Sequence, residues 1–311
     1  MELNEPLPAE QVIAELCNTY QPLLNSNLAE LSNLTTTEQK LFENSWTAIN
    51  PERRRQIINR LVELADENVE LYFNGIFKYC LRDQDDEVRS KAIDGLWEDE
   101  ETSLIDPLIK LLEQDSSEKV QVAAATAMGK FAVLAECNKL SPEYQASIQQ
   151  TLLKALGDDK RTVEVRRRTL ESIAPLSIPQ VKTVISEVYR STNPKLRISA
   201  IYAMGKNYDS SWLPILLKEL SNDDAEVRYE AAGACGELEE EAAVPGLIKL
   251  VNDFDADVQM AAIQALGKIG GTEAKECLAE CLESESEVVR QMAEQVMGEI
   301  NTQEDPLSFG I

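Results

Sequence analysis

The sequence contains no histidine, so it lacks both the commonest general base and the commonest metal ligand of proteins. Any catalysis would have to use carboxylate, lysine, tyrosine or cysteine side chains, and no motif of that kind is found. The sequence therefore predicts a protein that is not an enzyme and that needs neither a cofactor nor a metal.

Basic residues are also scarce. The chain has 30 Lys and Arg against 55 Asp and Glu, which gives a net charge of −25. Proteins that bind nucleic acid draw much of their affinity from basic side chains that neutralise phosphates, and anionic membranes attract basic surfaces in the same way. The composition thus argues against both partners and favours a protein partner with a basic segment.

Long apolar runs are missing as well. No stretch approaches the roughly 18 consecutive apolar residues of a membrane span, and the acidic start Met-Glu-Leu-Asn-Glu-Pro lacks the features of a secretory signal. The six cysteines are scattered and form no Cys-x-x-Cys pair, so free thiols are expected. These absences predict a cytoplasmic protein.

What the sequence does contain is one motif repeated seven times, and its most regular copy runs from Asp224 to Leu238. The apolar residue four positions into that copy, Val227, is here termed the anchor. The equivalent anchors are Val88, Val120, Val165, Leu196, Val227, Val258 and Val289, at spacings of 32, 45, 31, 31, 31 and 31 residues. Self-similarity at such a fixed period is typical of solenoid proteins.

Each copy has the signals of one helix. Three residues before each anchor lies a residue that favours helix N-caps, namely Asp85, Ser117, Thr162, Asn193, Asp224, Asp255 or Ser286. A small residue follows the anchor by four positions, as at Ala231, and shares its helical face. Five copies have Gly nine positions after the anchor, which suits either the chain leaving the helix or a tight crossing of two helices.

A second amphipathic run precedes each anchor, as in residues 213–220 and 244–251, so each unit is a helix, a turn and a helix. The cap-x-x-Val-Arg-x-x-Ala core, with Pro107, Pro214 and Pro245 in first helices, resembles the short bacterial HEAT-like repeat, also called the bilin-lyase HEAT-like repeat. The resemblance implies an all-α, right-handed α-solenoid of about seven helix pairs over residues 51–300. It also implies an alternative function, a lyase component that handles a tetrapyrrole or its acceptor protein.

Three segments depart from the repeat. Residues 1–50 are predicted to form a divergent helical cap over one end of the solenoid, or alternatively an arm that docks on a partner. About 14 extra residues near 134–147 predict a longer helix or loop, either a binding element or a neutral insertion. Residues 301–311 form a tail whose Leu307, Phe309 and Ile311 either fold back or form a docking motif.

For several side chains a functional role is conceivable, but a structural role is favoured. Cys277 and Cys281 share a helical face, but they occupy packing positions of the repeat, as does Cys235. The Arg or Gln that follows each anchor is expected to pair with acidic caps of adjacent turns rather than to form a basic stripe. The run from Arg53 to Arg55 is predicted to lie on a solvated face.

One stripe is expected to be functional. The residues two and six positions after the anchors lie off the packing face and yet include apolar and Tyr side chains. In HEAT-type solenoids the second helices line the concave surface, so stacking would bring these positions together as an exposed groove. The candidate protein-binding residues are Val122, Arg167, Ile198, Tyr202, Tyr229, Met260, Gln264 and Gln291.

The sequence as a whole therefore predicts a non-catalytic scaffold or adaptor that grips a basic or helical segment of another protein. The alternative for the stripe is that it helps adjacent second helices to pack. Solvent exposure of Tyr202 and Tyr229 distinguishes the two interpretations.

Overall fold

The computed structural model describes residues 8–18 and 20–304, and these form helices and turns without a strand. The chain divides into two compact units, Met1–Ser172 (unit 1) and Ile173–Ile311 (unit 2). In the described part of unit 1 the helices are α1 Ala9–Glu15, α2 Asn25–Ala29, α3 Thr36–Trp46, α4 Pro51–Glu67, α5 Asn74–Cys80, α6 Asp86–Asp94, α7 Ile105–Gln114, α8 Glu118–Glu136, α9 Pro142–Gly157 and α10 Val163–Ile173, the last ending at the unit boundary. In unit 2 they are α11 Pro179–Tyr189, α12 Pro194–Lys206, α13 Leu213–Glu219, α14 Ala225–Leu238, α15 Val244–Leu250, α16 Ala256–Ile269, α17 Thr272–Cys281 and α18 Glu287–Glu304.

The even-numbered helices from α6 to α18 are the second helices of the repeats, and each carries one anchor. Every anchor is buried, with at most 5% of its surface exposed. The small residues four positions later are buried too, so anchor and small residue face the core together, as the 3.6-residue period requires. Within each unit, successive second helices pack directly on one another, as α12, α14, α16 and α18 do. The predicted all-α solenoid class is confirmed.

The predicted N-caps are present with one exception. The side chain of Asp255 accepts hydrogen bonds from the backbone N–H groups of Asp257 and Val258, and Asn193 accepts one from Leu196. Ser117 does not cap its helix. Its hydroxyl instead donates to Asp86 at 2.7 Å, because that carboxylate of the preceding second helix offers a charged acceptor.

The repeated Gly serves the crossing of helices. A Cβ built on Gly205 of α12 would lie 2.6 Å from the Cα of Ala234 in α14, and one on Gly236 would lie 2.9 Å from the Cα of Ala265 in α16. The two backbones approach so closely that no side chain fits between them. Of the two roles that the sequence left open, the tight crossing is therefore the one observed at these positions.

The described residues up to position 50 form three helices against the solenoid's first described turns. Thr35 and Glu38 form a capping box, and Phe42, Trp46 and Ile49 are buried. Leu41 is 39% exposed. Whether this segment acts as a cap or as a docking arm stays a prediction.

Helix α4 ends with Asn68 as its C-cap, residues 69–73 are not helical, and α5 begins at Asn74. The insertion lengthens both α8 and α9 around a break at Asn138, whose φ is +56°. Leu307, Phe309 and Ile311 of the tail lie outside the described residues, as do residues 1–7.

Candidate functional site

The Arg after the anchor builds a contact between neighbouring turns. Arg228 donates two hydrogen bonds to the carboxylate of Asp253, at 2.8 and 2.7 Å, and Arg89 binds Asp115 in the same bidentate manner. Both guanidinium groups are largely buried. The pairing is structural, as expected, but its carboxylate comes from two residues before the next cap and not from the cap itself.

The same register is present in α4, at the start of the predicted solenoid range 51–300. Asn50 caps α4, and three residues later Arg53 lies at the anchor position. Arg54 then contacts Asp83 at 2.6 Å, in the slot that Asp115 and Asp253 fill in later turns. Helix α4 therefore follows the repeat pattern although its anchor is arginine.

The prediction of a solvated face for Arg53–Arg55 is wrong. Arg53 is 7% exposed and donates hydrogen bonds to the backbone carbonyls of Leu16, Asn18 and Gln21. Burial lowers the pKa of its guanidinium, and these carbonyls are the groups that compensate the lost hydration. Arg55 pairs with the cap Asp85.

The cysteines of the last helix pair belong to the core. Cys277 and Cys281 are both buried, and burial raises the pKa of Cys281 to about 12, with a further contribution from Cys277. Thiols of this kind are poorly reactive, because the thiolate is the nucleophile and the metal ligand. Among the residues that the structure describes, no three His, Cys, Asp or Glu side chains group as metal ligands.

The predicted stripe divides between the units and is not uniform. In unit 2, Tyr202 is 37% exposed and Tyr229 is 43% exposed, and Gln264 and Gln291 are exposed while Met260 is half-buried. Ile198 is buried at 4% and cannot contact a partner. Its neighbours Ser199, Ala200 and Ile201 are buried as well, so this turn of α12 is covered on all sides. In unit 1, Val122 and Arg167 are half-buried.

A cleft of about 510 Å³ lies along this surface of unit 2. The cleft is lined by Tyr229 of α14, Met260 and Gln264 of α16 and Met292 of α18. Adjacent repeats therefore contribute equivalent helix faces to it, as stacking of the repeats requires. Met292 does not belong to the predicted stripe, because it lies three positions after its anchor Val289 rather than two.

The charged groups around this cleft are all acidic among its described lining residues. Glu226 and Asp257 lie in the first turns of α14 and α16, Asp255 is the N-cap of α16, and Glu230 lies in the second turn of α14. Carboxylates at the first three positions are favoured because the helix macrodipole is positive at the N-terminus. The consequence is an apolar and aromatic floor with negative walls.

Two lysines lie near the C-terminal ends of α12 and α16. Glu237 of α14 lies between Lys206 of α12 at 3.1 Å and Lys268 of α16 at 2.7 Å. Burial opposes ionisation of this carboxyl, but the hydrogen bonds from Lys268 and Lys206 hold its pKa below the usual value. These two ion pairs join α12, α14 and α16, and the lysines interact favourably with the negative C-terminal ends of the helix dipoles.

The comparisons with known proteins agree with this architecture. The family of HEAT repeats matches residues 74–142 and 213–298. No curated protein matches the chain. No helix in the described part of the chain is both long and apolar enough to cross a membrane.

Solved structures of repeat proteins are similar to this chain. The Kap95:Nup1 complex matches with a TM-score of 0.53 and 13% identity, over 94% of this chain and 46% of that chain. A designed armadillo repeat protein matches with a TM-score of 0.40 and 19% identity, over 63% of this chain and 100% of that chain. Human deoxyhypusine hydroxylase matches with a TM-score of 0.37 and 16% identity, over 94% and 96%.

At these identities the structural matches bear on the fold alone, and the bilin-lyase subfamily stays a prediction. The motif, the buried anchors and the family match agree with one another. The chain is therefore a HEAT-repeat protein of the α-solenoid class.

Proposed function

We propose that this chain is a non-catalytic scaffold that binds a basic, partly apolar segment of another protein on the second-helix surface of unit 2. The observation that carries the proposal is the exposure of Tyr202 and Tyr229 on the face that the repeat presents outward. Large aromatic side chains that remain exposed on a rigid surface are frequent hot spots of protein interfaces.

The cleft also indicates what the partner presents. Met260 and Met292 supply a polarisable apolar floor that adapts to different side chains. Glu226 and Asp257 supply negative charge at its wall, which favours Lys or Arg and accelerates association with a basic partner. We therefore assign contact roles to Tyr202, Tyr229, Met260, Gln264 and Gln291.

Mechanistically, the scaffold would act by preorganisation. The helices that carry the cleft are fixed by backbone crossings at Gly205 and Gly236 and by the Arg228–Asp253 pair. A surface that is already rigid loses little conformational entropy on binding, so more of the contact energy contributes to affinity. The tetrapyrrole alternative has no such support from any described side chain.

A site-specific crosslink tests the proposal. A photoreactive phenylalanine analogue replaces Gln264 in the cleft and, as matched control, the exposed Gln180 on first helix α11. We expect a protein crosslinked from position 264 and not from 180, with capture that weakens at high salt. Tyr229→Ala should abolish the product, whereas Tyr72→Ala, at an exposed tyrosine of unit 1, should not. Equal crosslinking at both positions, or a product unaffected by Tyr229→Ala, would contradict the proposal.

A further inference from the structure

A second surface, on unit 1, has different chemistry. Of the three tryptophans, Trp46 and Trp212 are buried, whereas Trp97 is 63% exposed directly after α6. Its backbone is held from the neighbouring helix, because Lys130 of α8 donates to the carbonyl of Leu96 at 2.6 Å and to that of Trp97 at 3.2 Å. The exposed indole is therefore fixed at its base.

Trp97 forms one end of a cleft of about 840 Å³. The cleft lies on the second-helix surface of unit 1, and Ile93, Val122, Ala123 and Ala127 contribute to its lining. The small side chains of α8 leave the floor open, while Trp97 rises at its edge. An apolar depression beside a rigid, exposed Trp has the composition of an interface core.

Most charged groups near this cleft are paired with a neighbour in unit 1, while Lys130 donates to backbone carbonyls. Lys119 contacts Glu87 at 2.7 Å, and Arg168 contacts Glu164 at 3.1 Å. Within the described residues, Glu118 is the one charged lining side chain without an ion-pair or hydrogen-bond partner. An occupant therefore needs an apolar face and gains from one basic residue beside Glu118.

The length of the cleft suits a helix. Its lining on α8 runs from Glu118 to Lys130. At a rise of about 1.5 Å per residue this is roughly 18 Å, or between three and four turns of an α-helix. Apolar side chains at i, i+4, i+7 and i+11 of a partner helix would cover most of that distance on one face.

We propose that the Trp97 cleft is a second docking site, specific for an amphipathic helix of a partner protein whose apolar face covers Trp97 and Val122. The site is independent of the basic-segment site in unit 2, because it lies on other helices and contains little uncompensated charge. A chain with both sites would hold two different segments, and it would then act as an adaptor.

The test uses the full chain and an acetylated 18-residue peptide of Leu, Ala and Gln with Leu at i, i+4, i+7 and i+11 and one terminal Lys. A control peptide has the same composition with Leu at every second position. Because Trp46 and Trp212 are buried, a blue shift of the protein's emission on titration reports cover over Trp97. We expect a blue shift with the helical peptide and none with the control peptide.

Variants locate the binding, measured by anisotropy of the labelled peptide. Trp97→Ala and Val122→Glu should weaken binding at least tenfold. Val133→Glu, the same change at an exposed valine of α8 outside the cleft, should leave it within twofold. No binding of the helical peptide, or equal binding to Trp97→Ala, would overturn the proposal. An emission shift that depends on protein concentration without peptide would overturn it in favour of a second copy as occupant.

Discussion

Replacing Gly205 by alanine tests the packing of second helices most directly. The new Cβ would lie 2.6 Å from the Cα, 2.9 Å from the Cβ and 3.3 Å from the carbonyl oxygen of Ala234. Two of these atoms belong to the backbone of α14, so no rotamer change relieves the contact and the two helices must separate. Overpacking of this kind costs about 1–3 kcal/mol.

A stabilising effect opposes this cost, because alanine is a better helix former than glycine by about 1 kcal/mol in a helix interior. The control Gly233→Ala isolates that term, since a Cβ there would meet no atom within 4 Å. We expect Gly233→Ala to gain stability by about 0.5–1 kcal/mol, and Gly205→Ala to lose up to about 2 kcal/mol net.

Urea and thermal unfolding followed by circular dichroism, on wild type and both variants, measure the two effects. Hydrogen exchange adds the location, because Gly205→Ala should increase amide exchange in α12 and α14 before it does so in α18. If Gly205→Ala proves as stable as Gly233→Ala, the close approach of the two backbones does not constrain the fold, and the reasoning is refuted.

Three further predictions concern charge and backbone. Hydrogen bonds from Arg228 lower the pKa of Asp253, and hydrogen bonds from Lys268 and Lys206 lower the pKa of Glu237 although burial opposes them. Both carboxylates therefore stabilise the fold above the unfolded pKa of about 4, and this stabilisation is lost as the pH falls. Thermal midpoints should therefore fall as the pH drops from 5 to 3, and Glu237→Gln should reduce this dependence; an unchanged profile would contradict the assignment. Burial and a hydrogen bond to Glu219 at 2.6 Å raise the pKa of Tyr189 to about 12, so its stabilisation is lost as the pH rises from about 10 to about 12. In ultraviolet titration Glu219→Gln should bring one phenolate to lower pH, and no change there would exclude the bond. Glu239 ends α14 at φ +53°, so Glu239→Gly should stabilise the protein by about 1 kcal/mol in urea unfolding, whereas a loss of stability would show that its side chain contributes more than the strain.

The architecture was predictable because its signals are local. A cap, an anchor three residues later and an alanine four residues after that determine where a second helix begins and which face it buries. Val227 and Val258 could be placed from this pattern alone, and both are buried. Helix α4 was included in the predicted solenoid range 51–300, although Arg53 at its anchor position departs from the apolar pattern of the other anchors.

The candidate site was predictable only in part. Tyr202 and Tyr229 are exposed as the spacing indicated, but Ile198 at an equivalent offset is buried. Whether an edge position is covered depends on how closely the adjacent helices pack around that turn, which the spacing within one helix does not determine. The exposure of Trp97 was not predicted for a related reason, because it depends on α8 contacting the carbonyl of Trp97 rather than its ring.

The contacts between Arg89 and Asp115 and between Arg228 and Asp253 span 26 and 25 residues, so each one leaves its own repeat and ends in the turn of the next. Asp253 also accepts the backbone N–H of Asp255, so one carboxylate serves two partners. Copying or deleting a whole period in the gene would return every such arginine to an equivalent turn. Removing a single codon between two of them would instead leave a largely buried cation opposite the wrong residue. Selection can therefore change the length of this protein by complete repeats far more readily than by single residues.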